Sequence, residues 1–173
     1  MGDRKHEAAI RSGMGILAME QCRLDEAQAC HEQALSMLVE AGNQRGQGTV
    51  SLNLAAVLPC RRLPPDVVRG AFEKAMEISR EYGDRPTEGI AVSNLGLFLM
   101  DWGTETETTD TRAAGLAIHR ETGNHRWEGI TLASLGPDAL LQGREEGARS
   151  QLELALSIHR EVSDCLLYTS DAA

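Results

Sequence analysis

Aromatic side chains are nearly missing from this chain: two Trp, two Tyr and two Phe make up 3% of 173 residues. A core without them has to be filled by Leu, Ile, Val, Met and especially Ala. Small side chains let helices approach closely, which suits stacked helices better than facing sheets. Long apolar runs are missing too, and no stretch approaches the ~20 residues of a membrane span. The opening Met-Gly-Asp-Arg-Lys-His-Glu has no apolar run behind its charges, so it does not read as a secretory signal. Cysteine is sparse: Cys22, Cys30, Cys60 and Cys165 form no CxxC and no framework spacing. They read as reduced thiols of a cytoplasmic protein, packed as small apolar side chains. Basic charge is in deficit, with 17 Lys and Arg against 26 Asp and Glu, a net −9. Nucleic acid and anionic membrane surfaces both need a basic face, so neither is expected as a partner. Solubility is explanation enough for the acidity.

Catalytic signatures are absent as well. There is no glycine-rich phosphate loop, no nucleophile elbow and no pair of acids on a cleft-forming scaffold. Asp25/Glu26 and Glu145/Glu146 stand in expected first turns of helices, where the macrodipole favours acids. Cys30 and His31 are adjacent, and neighbours on a helix point about 100° apart. His119 and His159 recur at one position of an internal repeat, and equivalent residues on stacked helices lie on the order of 10 Å apart. Neither arrangement converges on a metal. The expectation is a protein that is not an enzyme and needs no cofactor or metal.

What is present is a period. The chain restarts at Gly2, Gly42, Gly83 and Gly123, with the openings Gly-Asp-Arg, Gly-Asn-Gln-Arg, Gly-Asp-Arg and Gly-Asn-His-Arg. The closings before each restart include Ile78-Ser-Arg-Glu81, Ile118-His-Arg-Glu121 and Ile158-His-Arg-Glu161. A fixed period of about 40 residues marks a repeat array, whose units are too small to bury their own apolar faces. The units are 2–41, 42–82, 83–122 and 123–162, with a fifth beginning at 163–164. Each resolves into two helical stretches around a short break. In the third, Ile90, Val92, Leu95, Phe98 and Leu99 recur at helical spacing, and Gly123 follows the second stretch as a C-terminal stop. Gly103 and Gly143 occupy equivalent breaks, with Cys22 and Arg62 in the other units. Asp3, Asn43, Asp84 and Asn124 stand where Asp or Asn favours a helix entry. Eight helices in four antiparallel pairs follow, with no segment alternating long enough to be a strand.

Small residues recur at fixed places. Ala27, Val68, Thr108 and Ala148 align; so do Ala34, Ala75, Gly115 and Ala155, and Gly15, Ala55, Gly96 and Gly136. These columns predict close helix contacts that a larger side chain would overpack. Met14, Leu54, Leu95 and Leu135 are expected to fill the space between paired helices, and His31 shares a variable packing column with Phe72, Arg112 and Leu152.

With Asn94-Leu95-Gly96, Gly103 and Gly115, and with Ser134-Leu135-Gly136, Gly143, Ala148 and Ala155, residues 2–164 resemble tetratricopeptide repeats of the extended variety. Kinesin light chains, polarity scaffolds and bacterial signalling proteins carry that variety, and the Ile-His-Arg-Glu phrasing looks most like the bacterial arrays. The resemblance implies an all-α, right-handed solenoid whose first helices line a concave groove that binds a peptide or partner helix. An Asn before the Leu-Gly pair often holds the peptide backbone in such arrays. That column here is Gly13, Asn53, Asn94 and Ser134, and an amide can pair with a peptide unit as donor or acceptor. Capping or bridging of neighbouring helices is the other reading of Asn53 and Asn94. Thr49, Leu52, Ala56, Ser93, Leu97 and Met100 complete the expected groove, with no lysine cluster to clamp a terminal carboxylate. A spacer or self-association array, stacking through its open ends, is the alternative function.

Three departures qualify the pattern. Pro137 falls inside an expected first helix, where it should kink or shorten it at a cost of about 3 kcal/mol if straight. Residues 104–111 are poor helix formers, so the sixth helix is expected to start late. Residues 165–173 resemble a translated sequencing-library adaptor, so a non-native tail is expected there rather than a short native one, and with it a chain that is a fragment of a longer array; these residues lie outside those whose side chains the structure describes.

Overall fold

The computed structural model describes the backbone of residues 2–170 and the side chains of residues 4–163. Eight helices follow one another: α1 (Gly2–Glu20), α2 (Leu24–Glu40), α3 (Gln44–Cys60), α4 (Pro65–Glu81), α5 (Arg85–Trp102), α6 (Glu105–Thr122), α7 (His125–Leu141) and α8 (Glu145–Ser170). No strand occurs among the described residues. Consecutive helices pack as hairpins (α1/α2, α3/α4, α5/α6, α7/α8), and each hairpin leans on the next through α2/α3, α4/α5 and α6/α7. First helices also touch one another, α1 to α3, α3 to α5 and α5 to α7, whereas no two second helices meet among the described residues. The array therefore bends towards its first helices, which form the inner layer. This is the all-α repeat solenoid that the period predicts.

The Gly-Asn/Asp dipeptides stop one helix and start the next. Gly42, Gly83 and Gly123 take left-handed backbone angles (φ 61°, 66° and 64°), which glycine adopts without a Cβ penalty. The following N–H then reaches back: Asn43 to the Leu38 carbonyl, Asp84 to Ser79 and Asn124 to His119, at 2.8–2.9 Å. Those same residues cap the next helix, accepting from the N–H groups of Gly46, Thr87 and Trp127. Asp3 lies outside the residues whose side chains are described.

The small columns are holes for large side chains. A Cβ added at Gly96 would lie 2.5 Å from Arg112 Cγ, one at Gly136 2.7 Å from Leu152, and one at Gly15 2.7 Å from His31. Ala55 and Phe72 share the central cluster with Leu52, Leu58, Val68, Ala75, Ala91, Leu95 and Leu99. The variable column is thus a row of knobs. Ala27, Ala34, Ala75 and Ala148 are fully buried beneath them.

Several expectations need correction. Helix α6 starts on schedule, because Thr104 is itself a cap: its side chain accepts from the Glu107 N–H, and the Thr108 hydroxyl donates to the Leu99 carbonyl at 2.9 Å. Pro137 does not shorten α7, which spans the same 17 residues as α3. Its ring is exposed at a position where only one intrahelical bond is forfeited. Gly103 differs from the other breaks: its backbone is extended (φ −99°, ψ 175°), while Cys22, Arg62 and Gly143 are left-handed (φ 58°, 54° and 70°). Met14 is half exposed rather than filling a pair. Helix α8 runs through 163–164 without the turn expected there, since Ser163 replaces the glycine that stops the earlier units.

Candidate functional site

The inner layer opens between α3 and α5 into a cleft of about 850 Å³. Pro59 at the end of α3, Leu63 and Pro64 in the α3–α4 turn, and Pro65 and Phe72 of α4 form one side. Asn94, Leu97, Phe98, Asp101 and Trp102 of α5 form the other. Helix spacing explains the second set: residues 94, 97, 98, 101 and 102 follow the three- and four-residue steps that keep one face aligned. The prolines stiffen the opposite wall, with Pro65 opening α4 where its missing N–H is an end group anyway.

Phe98 and Trp102 stack, with ring centroids 6.5 Å apart and planes inclined by 22°. Trp102 nevertheless keeps 61% of its surface in solvent, an unusual state for the largest apolar side chain in a chain this poor in aromatics. Asp101 beside it and Arg62 across the cleft are both exposed. A second cleft of about 450 Å³ lies on the far side of the α5 C-terminus, lined by Met100, Thr109, Asp138 and Leu141 among others. Leu97, Met100, Trp102, Leu140 and Leu141 are all exposed apolar side chains of α5 and α7, so the two clefts share an apolar rim.

The residues expected in the groove separate into four groups. Asn94 and Leu97 line the first cleft and Met100 the second. Thr49 is exposed on α3 away from both. Asn53 bridges instead of hooking: its amide donates to Ser12 Oγ at 3.2 Å, tying α3 to α1. Ser134 Oγ donates to the Thr131 carbonyl of its own helix. Leu52 and Ser93 are buried, at 5% and 3% exposure, which corrects their placement in the groove. Each lies one position before the Asn column, and that step of about 100° turns it into the packing layer. The sequence reading missed Phe98 as a wall residue and overlooked Trp102, Leu63 and the three prolines. The signals were available in the exposed position of a rare Trp and the Pro-Pro pair opposite it.

Buried polar groups mark the junctions between hairpins. Ser93 Oγ lies 2.9 Å from His119 Nε2 and 3.3 Å from Thr131 Oγ1, linking α5, α6 and α7. His119 is fully buried and stacks on Trp127 at 5.9 Å. Burial pushes its pKa down, partly offset by Glu128. His31, 3.3 Å from Ser12 Oγ, is depressed by burial as well. Arg112 is 1% exposed and pairs with Asp138 of α7; removal from water lowers its pKa against the pull of that carboxylate. Glu88, 3% exposed, is held by Arg80 at 2.9 Å and Arg85 at 2.7 Å. Among the described residues no three His, Cys, Asp or Glu side chains gather as metal ligands, and no helix is long and apolar enough to cross a membrane. The buried groups are closed to a ligand; the clefts are open to one.

No protein-family model matches this chain, and no curated protein matches it in sequence. Its backbone is similar to the crystal structure of BtubC (BKLC) from P. vanneervenii, with a TM-score of 0.72 at 20% identity over 90% of this chain. The match spans 64% of that protein's length, so this chain covers somewhat less than two thirds of its structural neighbour. At that identity the likeness establishes a shared helical-repeat fold.

Proposed function

We propose that this array is a tetratricopeptide-like interaction module, one segment of a larger cytoplasmic signalling or regulatory protein of bacterial type. It seats a peptide or partner helix against its inner layer. The observation that carries this reading is the α3–α5 cleft, where Asn94, Leu97 and the exposed Trp102 stand together on the bending side of a repeat solenoid. An apolar concavity with a few polar groups is the usual form of a binding site. A Trp that a partner covers on binding is a residue type on which interface energy concentrates. Asn94 is the one amide of its column free to hold a peptide unit, because Asn53 is engaged by Ser12. The role needs no reaction, cofactor or metal.

The test is a titration of the full chain against a peptide library, read by fluorescence. Asn94→Ala and Trp102→Ala should each weaken the best binder by at least about tenfold, the loss typical of a central anchor, with helicity unchanged. Undiminished binding by both variants would overturn the assignment of the cleft.

A second reading has its own support. Ile10, Met14 and Leu17 are exposed at three- and four-residue steps along α1, and their counterparts Val50, Leu54 and Val57 in α3 are wholly or largely buried. Such a stripe favours stacking of one array on another. Sedimentation would show self-association that Ile10→Glu with Met14→Glu abolishes.

A further inference from the structure

We infer that the α3–α5 cleft selects a segment carrying a bulky apolar anchor with a cationic side chain on one flank, over Trp102 and Asp101, and an anionic one on the other, towards Arg62. This deepens the interaction reading and rests on it. The apolar walls come first: Leu63, Pro65, Phe72 and Phe98 surround a space far larger than a methyl group. Filling it with a Leu, Phe or Met side chain removes apolar surface from water on both partners.

The charges then set what flanks the anchor. On other parts of this surface some acids and bases are matched across neighbouring helices, as Arg69 is with Glu107, Arg85 with Glu121 and Arg120 with Glu128. Asp101 and Arg62 stand on opposite walls of one cleft, and among the described residues neither takes part in an ion pair or a side-chain hydrogen bond. Each is left to an incoming group. An apolar surround lowers the local dielectric as a ligand closes over it, which strengthens both attractions relative to open water. The Trp102 ring adds to the cationic side. One part of it stacks on Phe98 while most of its surface stays open, and a guanidinium or ammonium over an indole face is attracted by the ring quadrupole. Arg62 sits at the left-handed turn position before Leu63, so its place relative to the cleft mouth is fixed by the turn.

Four synthetic peptides test this, sharing a central Leu-rich anchor and bearing Glu/Arg, Gln/Arg, Glu/Gln or Gln/Gln on its flanks. The Glu/Arg peptide should bind tightest, each neutral replacement losing about three- to fivefold, the scale of a partly exposed pair. Asp101→Asn should weaken only the Arg-bearing peptides and Arg62→Gln only the Glu-bearing ones, which a double-mutant cycle isolates. Equal affinities across the four peptides, with Trp102→Ala still disruptive, would overturn the charge selection and leave the cleft standing. Binding indifferent to Trp102→Ala, or no binding by any of the four, would remove both. Circular dichroism on each variant separates lost binding from lost fold.

Discussion

Ser93 Oγ and His119 Nε2 lie 2.9 Å apart at a point where three helices meet, and the pair is closed from solvent. The same hydroxyl reaches Thr131, so one serine ties the third hairpin to the fourth. Stacking on Trp127 completes the enclosure of the imidazole.

That enclosure makes stability depend on pH. Burial depresses the pKa of His119 and of His31 in the folded state, while the unfolded chain titrates near 6.5. Below that value the unfolded state binds protons that the native state resists, so stability is fully present above about pH 6.5 and falls on acidification. Each histidine held neutral removes up to about 1.4 kcal/mol per pH unit in that window. Thermal unfolding between pH 7.5 and 5 should show the decline, and His119→Gln should flatten it. An unchanged slope in that variant would show that His119 contributes nothing to the decline and leave it to His31.

The pair formed by Arg112 and Asp138 should behave asymmetrically. Arg112 is buried to 1% exposure while Asp138 keeps 25% of its side chain in water. Removing the acid strands a charge in the core, at about 3 kcal/mol or more; removing the base leaves a carboxylate that water can reach, at a smaller cost. Asp138→Ala should therefore be worse than Arg112→Met. The double variant Arg112→Met with Asp138→Leu should recover to within about 1 kcal/mol of the parent, because an apolar pair of similar volume replaces the ions. Urea unfolding of the four proteins reads this directly.

Gly96 tests the knob-and-hole packing. An added Cβ would stand 2.5 Å from Arg112 Cγ and 3.4 Å from the Arg112 backbone nitrogen. Alanine improves helix propensity by about 0.8 kcal/mol, yet overpacking a closed contact costs about 1–3 kcal/mol. Gly96→Ala should lose stability on balance, whereas Gly13→Ala, with nothing within 4 Å of its Cβ, should gain it.

The repeat was legible because local rules set it. Gly-Asn and Gly-Asp stops, capping side chains and columns of small residues each act within a few residues of sequence, and the helices fall where those signals place them. The site was legible only in part. The Asn column identified the inner layer, but Asn53 met Ser12 forty-one residues away, a partner that no spacing announces. Leu52 and Ser93 were misplaced by one step of helix rotation. Arg112 stands in a column otherwise filled by His31, Phe72 and Leu152, and its acceptor belongs to a different helix. Thr104 showed the reverse error: a residue poor inside a helix is good at its start.

Cys22 and Arg62 occupy left-handed turns that Gly143 fills without strain. A Cβ there crowds the neighbouring carbonyl, at a cost of roughly 1–2 kcal/mol for an ordinary L-residue. Glycine relieves that crowding but gives the unfolded chain more freedom, which returns up to about 1 kcal/mol. Cys22→Gly should therefore raise stability by about 0.5–1 kcal/mol, and Gly143→Ala should lower it by about 1 kcal/mol, since its φ of 70° is one that alanine resists. Cys22 is exposed, so no packing is lost in the exchange. A chain of this size moves its midpoint by about 2–4 °C per kcal/mol, within reach of calorimetry. A fall in stability for Cys22→Gly would mean that the thiol makes a contact the turn depends on.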